Sequence, residues 1–322
     1  ALQGTGKILQ DGNEIHDKEL LYRHRYIDMI MNPDVIETFK KRSGIIRKIR
    51  NYLDGLGFIE VETRMLTHTN SGANAKPFVT HHNSLDQDLY LRIAPELDLK
   101  RLIVGGMDRI FEIGKNFRKE GVDRTHTPEF TSIEIYHSYA NMDTIMRLLI
   151  EVLHEVYEDP LIQFDIVTME EAIKRVVGDI QFSKMDQLVE CFETKIVPTL
   201  IKPTIVTQYP SYISPLARKN SKDYYFSERF ELFINAMEIA NGFSEENDPN
   251  EQRKNFEAQQ NLRIQGDQEA MGTDEDYCKA LEYGMPPTAG LGIGIDRLVM
   301  CILGKSSIRE VIPFPQYKGR LE

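Results

Sequence analysis

Residues Gly290 to Met300, GLGIGIDRLVM, constrain this chain more than any other stretch. Glycines at 290, 292 and 294 put a backbone without side chains immediately before an apolar helix that carries Arg297. A dinucleotide fingerprint needs its third glycine at position 295, which is isoleucine here, and it must open a βαβ unit with an acidic ribose ligand downstream. The element is instead the last in the chain, which argues against a nicotinamide-binding fold. Two uses of the bare backbone stay open. One is close packing of strands; the other is a floor on which a flat ligand lies beneath the Arg297 guanidinium plane.

The segment Asn116 to Tyr136, NFRKEGVDRTHTPEFTSIEIY, packs Arg118, Glu120, Arg124, His126, Glu129, Phe130 and Glu134 into 21 residues. Its glycine and Pro128 predict two antiparallel strands joined by a loop. Strand alternation places Phe130 and Glu134 on one face, with Arg118 reaching the same area from the partner strand. A guanidinium fork, a histidine and an aromatic plate suit a nucleotide triphosphate; a charged surface hairpin is the other reading.

Between these segments the apolar pattern switches period. From Ser43, the residues Ile45, Ile46, Ile49, Tyr52, Leu53 and Leu56 recur at helical spacing, Gly57 stops the helix, and FIEVET follows as a strand. LDQDLYLRI reads as a strand, Pro95 opens a helix over ELDLKRLIVG, Arg109 to Ile113 returns as a strand, and residues 140–158 form a helix. ERFELFINAMEIANGF alternates like a strand and precedes a polar helix from about 249 to 266. Residues 160–205 have weak periodicity and are expected to be an insertion outside the main sheet. Residues 1–18 are polar and aperiodic, a linker or the remnant of a preceding domain.

Charge divides the chain. Residues 223–282 hold 15 acidic and 5 basic side chains, nearly the whole excess behind a net charge of -11, whereas residues 92–124 hold eight basic against six acidic. The acidic balance argues against broad electrostatic binding of nucleic acid, and a fold joining the two stretches would have walls of opposite sign. No stretch has the ~18 consecutive apolar residues of a membrane helix, so a cytoplasmic protein without membrane contact is expected. Cys191, Cys278 and Cys301 are too scattered for a disulfide framework or a zinc knuckle.

The passages YRHRYIDMI, GFIEVET, AKPFVTHHNSLDQDLYLRIAPELDLKRLIVGG, FRKEGVDRTHTPEFTSIEIY, RFELFINAMEIANGFSEENDP and ALEYGMPPTAGLGIGIDR resemble the catalytic domain of class II lysyl-tRNA synthetases, over about residues 19 to 316. The resemblance implies an α+β fold, a mainly antiparallel sheet flanked by helices, occupying residues 19–322 after a missing N-terminal OB-fold. It implies ATP-dependent activation of L-lysine to lysyl-adenylate and transfer to the 3′ end of tRNA(Lys), by a homodimer whose hold on tRNA is weak without the anticodon-binding domain. On that likeness Arg118 and Arg297 are catalytic, and Arg118, Glu120, His126, Phe130, Glu231, Glu238 and Arg297 bind ATP. Glu231 and Glu238 hold Mg2+; Gly72, Glu96, Arg118, Glu134, Tyr136, Asn241, Phe243 and Glu245 receive lysine.

Four positions depart from the family pattern: Arg64 for a proline at the end of the first motif, which contributes to the dimer interface, Lys119 for asparagine, Thr127 for asparagine, and Ser71 for the first of two glycines. Ser71 is expected to narrow the approach to the substrate's α-amino group and raise substrate constants. Two other functions fit the resemblance in part. A free-standing ligase that lysylates an elongation factor is disfavoured by PELDLKR and the three glycines, and a weakly active regulatory protein by intact Arg118, Glu231, Glu238 and Arg297.

Overall fold

Helix α1, Pro33–Gly55, begins ten residues before the apolar periodicity read from Ser43, with Pro33 in its first turn and Val35, Ile36 and Phe39 in the turns that follow. It buries Ile45, Ile49 and Leu53 against a sheet. The computed structural model describes residues 9–10, 13–14, 18–119, 121–157, 162–180, 182 and 184–317; the 1–18 linker reading therefore falls largely outside the described residues, as does Glu120.

Gly57, at φ +79°, turns the chain from α1 into β1 (Ile59–Glu60). Helix α2 is Glu96–Val104. Strands β2 (Arg109–Phe117) and β3 (Glu129–Ser138) form the expected antiparallel pair, with Glu112 opposite Glu134 and Asn116 opposite Phe130. Helix α3, Met142–Tyr157, lays Ile145, Leu149, Val152 and Leu153 into the core. Strand β4 (Asp165–Thr168), helix α4 (Met169–Val177) and β5 (Thr204–Thr207) follow. The alternating run at 229–244 is a hairpin, β6 (Arg229–Ile234) and β7 (Met237–Ser244), because Asn235 and Ala236 both take positive φ at its turn. Helix α5, Pro249–Ile264, is capped by the Asp248 side chain, and α6, Glu275–Glu282, by Asp274. Strand β8 (Thr288–Gly294) runs directly into α7 (Ile295–Leu303).

The sheet order is β1-β2-β3-β8-β7-β6-β5-β4, antiparallel throughout except for the parallel pairs at its two ends. This is the expected α+β sheet, with one correction. The 160–205 segment does not stand outside it, for β4 and β5 are its last two strands and the intervening helices pack Ile173, Leu188 and Phe192 against Val206 and Phe233. A three-stranded sheet of Leu66–Thr67, Val79–His82 and Gln87–Leu91 lies beside the main one in the chain.

Side chains alternate across the main sheet. One face carries Phe111, Ile133, Ile135, Leu232, Leu291 and Ile293 into the core with α1, α3 and α7. The other face is covered at one end by α2, α5 and α6, where Leu97, Ile103, Phe256 and Tyr277 pack with Ile110 and Tyr136. Over β3, β8, β7 and β6 that face stays open.

Candidate active site

The open face is a cavity of about 690 Å3. Its lining includes Gly72, Glu96, Arg118, His126, Phe130, Glu134, Tyr136, Glu231, Glu238, Asn241, Phe243 and Arg297. Every described residue expected at the site is thus gathered there except Glu245, which lies behind the wall. The register explains the gathering: Glu134 of β3, Gly292 of β8, Asn241 of β7 and Glu231 of β6 stand in one row across four strands.

The glycines divide between the two readings left open above. A Cβ at Gly290 would meet Glu245 Oε1 at 2.1 Å and Tyr136 Cε1 at 2.6 Å, so that glycine serves close packing. At Gly292 the nearest atoms would be 3.9 Å away and at Gly294 3.7 Å. A side chain at either would rise into the cavity instead of into its neighbours, so these two keep a floor clear. Gly72, at φ +96°, holds a backbone turn in the wall that L side chains rarely adopt.

At one end the Arg118 guanidinium lies 5.1 Å from the Phe130 ring centroid, and its Nε makes one 3.4 Å contact to the Ile93 carbonyl. Arg297 donates to the carbonyls of Thr125 and Glu238 and to His126 Nε2 at 2.8 Å. An arginine only donates, so His126 carries its proton on Nδ1 and gives it to Asp123 Oδ2, 2.8 Å away. Burial pulls the Asp123 carboxyl upward, but hydrogen bonds from Thr125 and His126 bring it down to about 2. Asp296 accepts from the Thr131 N–H at 2.8 Å and pairs with Arg42 Nη1 at 2.6 Å, tying the start of α7 to the strand that bears Phe130.

The middle holds two carboxyls. Glu238 is exposed; Glu231 is buried, accepts from Tyr209 Oη at 2.8 Å and pairs with Arg229. Burial raises the Glu231 carboxyl, and Glu238 adds to the rise against Arg229 and Tyr209.

The far end is acidic. Tyr136 Oη donates to Glu134 Oε2 at 3.1 Å, and Lys100 Nζ lies 2.6 Å from Glu96 Oε1 while also pairing with Glu245 Oε2. Glu245 Oε1 has no hydrogen-bond partner among the described residues. Burial first, and Glu96 second, push the Glu134 carboxyl up to about 8. The unfolded chain therefore binds fewer protons than the native one between about pH 4.5 and 8, and stability falls as pH rises through that window. Glu134→Gln is expected to remove roughly 2–4 kcal/mol of that fall; urea melts at about pH 6 and pH 9 check it, and equal slopes for both proteins would refute it.

The departures have plain local accounts. Arg64 makes a bidentate pair with Asp98 at 2.9 and 3.0 Å. The Ser71 hydroxyl turns to Thr69 and Asp274 and does not line the cavity, which corrects the expected narrowing. Sequence reasoning missed Lys100, Asp123, Tyr209, Arg229 and Asp296. Lys100 was visible in part, four residues from Glu96 on one helix face; the others act through partners distant in the chain or on a loop.

A mainly antiparallel sheet with a glycine floor, an arginine stacked on a phenylalanine and a second arginine in the same cavity suits a flat, phosphate-bearing nucleotide. The family model for class II tRNA synthetases (D, K and N) matches residues 17–318, and the chain belongs to that family. Among the proteins it resembles are three named lysine–tRNA ligase. Those of Syntrophomonas wolfei and Pelotomaculum thermopropionicum are each 46% identical over 95% of this chain, which spans 70% and 68% of their lengths. That of Lactococcus lactis subsp. cremoris is 47% identical over 94% of this chain and 69% of its own length.

Proposed function

We propose that this chain activates L-lysine with ATP to lysyl-adenylate and transfers the lysine to the 3′ end of tRNA(Lys). The observation that carries the substrate choice is the acidic end of the cavity. Of three buried carboxyls there, Glu96 and Glu245 share Lys100, Glu134 accepts from Tyr136, and Glu245 Oε1 has no donor among the described residues. A substrate ammonium placed beside Glu134 and Glu245 supplies the missing charge and donor, whereas an aspartate side chain would be repelled.

The chemistry needs no general base, since the lysine carboxylate is already ionised at neutral pH. It attacks the α-phosphorus in line, and pyrophosphate leaves. Arg118 lies where it can hold both the carboxylate and the α-phosphate, so its charge is fixed in place before negative charge shifts between them. Adenine lies between Phe130 and Arg297 over the glycine floor. His126 reaches the terminal phosphates by giving up its bond from Arg297, which frees that guanidinium to cover the base. Among the described residues no group of three or more histidine, cysteine or carboxylate side chains could hold a metal. Two carboxyls, Glu231 and Glu238, suit Mg2+, which keeps waters and takes its other oxygens from phosphates. When bound, it would neutralise charge on the departing pyrophosphate.

Arg64, being paired with Asp98 in its own chain, brings no unpaired charge to the homodimer that this reading includes. Among the described residues no helix is long and apolar enough to cross a membrane. The test is exchange of labelled pyrophosphate into ATP with Mg2+, with lysine and with aspartate, asparagine and arginine as controls, followed by acylation of tRNA(Lys). Exchange with lysine alone supports the reading, and its absence at millimolar lysine in folded protein would sink it.

A further inference from the structure

Lys100 is the most enclosed cation in the acidic end. Its side chain has no exposed surface, Glu96 lies one helical turn before it on α2, and Glu245 faces it from beyond the end of β7. The Phe243 and Tyr277 rings, 5.4 and 5.9 Å from Nζ, complete its surroundings. An ammonium enclosed in this way is held charged by its two carboxylates, and it draws the Glu245 carboxyl down against the larger rise that burial imposes. The two are not equivalent. Glu96 lines the cavity, while Glu245 stands behind Gly290 and Tyr136 with Oε1 unpartnered. Lys100 thus links a carboxylate that faces the substrate to one that reaches it only past a glycine.

We infer that Lys100 is a positioning residue for amino-acid recognition, whose ammonium holds Glu96 and Glu245 aligned and offsets part of their charge so that one further ammonium, the substrate's, completes the cluster. This rests on the lysine reading above. Glu96 and Glu245 against Lys100 leave one negative charge unmatched, room for a single added positive charge. Without Lys100 the buried Glu245 carboxyl would take up a proton more readily, and that proton would compete with the substrate. The ionisable groups facing the site are Glu96 on α2, Glu245 after β7, Glu134 and Tyr136 on β3, and Tyr277 on α6, with Arg92 and Arg118 also acting on Glu134. Burial raises both tyrosines, which leaves the carboxyls to respond.

The test measures lysine-dependent pyrophosphate exchange from about pH 6.5 to 9 in the whole chain and in Lys100→Met. The expected result at neutral pH is a KM for lysine raised by about tenfold or more with the KM for ATP nearly unchanged. That increase shrinks as pH rises and the carboxyls ionise. A Glu245→Gln variant is expected to lose lysine affinity by itself, and adding Lys100→Met to it to cost little more, because both act on one carboxylate. If Lys100 only fills space, the two constants move together, the defect is independent of pH, and the double variant is additive; any of these overturns the assignment. Should Lys100→Met fail to fold by circular dichroism, Lys100→Arg keeps the charge and is expected to show the pH profile of the unaltered chain. A lysine KM in that variant whose pH dependence departs from the unaltered chain's in the way expected of Lys100→Met would equally overturn it. Absence of lysine exchange in the unaltered chain would remove the underlying reading, an outcome distinct from a defect confined to the variants.

Discussion

Arg118→Ala is expected to lower lysine-dependent pyrophosphate exchange by about a thousandfold, the loss seen when a preorganised donor at a transition-state charge is removed. Stability should barely change. The guanidinium makes one long contact to a carbonyl and otherwise rests on the Phe130 ring, so its removal leaves no buried partner unsatisfied. The fall should appear in kcat, because the interaction strengthens as charge moves between carboxylate and phosphate. Lys119→Ala, next in the chain but exposed, is the control and should stay near the unaltered rate. Exchange assays with thermal melts by circular dichroism decide it; a loss smaller than about tenfold would take Arg118 out of the chemistry.

The glycine row offers the second large effect, with opposite signatures at neighbouring positions. Gly290→Ala forces a methyl into Glu245 Oε1 and Tyr136, so it should cost roughly 1–3 kcal/mol of stability as overpacking. It should also raise the KM for lysine by displacing Glu245. Gly292→Val meets no atom closer than 3.9 Å at its Cβ and should fold with an unchanged melting temperature. Its methyls occupy the cavity floor, and exchange should fall on the order of a hundredfold through misplaced substrates. Melts and exchange rates measured on both proteins separate packing from floor. If Gly292→Val keeps full activity, the cavity over β8 is not where the substrates lie.

How much could be read from the chain alone depends on the range of the interaction. The β2–β3 hairpin was legible because alternation and turn residues are local, and with it Arg118 over Phe130. The strand-to-helix passage at 290 was legible for the same reason, though not which glycine packs and which leaves space. That depends on Glu245 and Tyr136, brought in from other strands. β4 and β5 were missed because each has four residues and their pairing is parallel, so the partner of Asp165 is Thr204 and no nearby turn announces it. The start of α1 was missed because the polar run Lys40, Lys41, Arg42 and Ser43 separates Val35, Ile36 and Phe39 from the periodic residues that follow.

Charge was legible as two stretches of opposite sign but not as contacts. The structure joins them at Lys100 with Glu245, and it sets Arg118 in one cavity with Glu231 and Glu238. Roles for Glu96, Glu134 and Glu245 came from family resemblance. The arithmetic of their mutual repulsion needed coordinates, since Glu134 and Glu245 are more than a hundred residues apart.

Strand β8, from the last 35 of the 322 residues, lies between β3 and β7, which have no ladder with each other. A chain emerging from the ribosome therefore has two half-sheets with open inner edges until residues 288–294 are made. The nucleotide and amino-acid ends of the cavity belong to different halves in part, so neither substrate finds a finished site on a nascent chain. Completion of the site coincides with closure of the sheet, and the segment that supplies the bare floor also seals the seam.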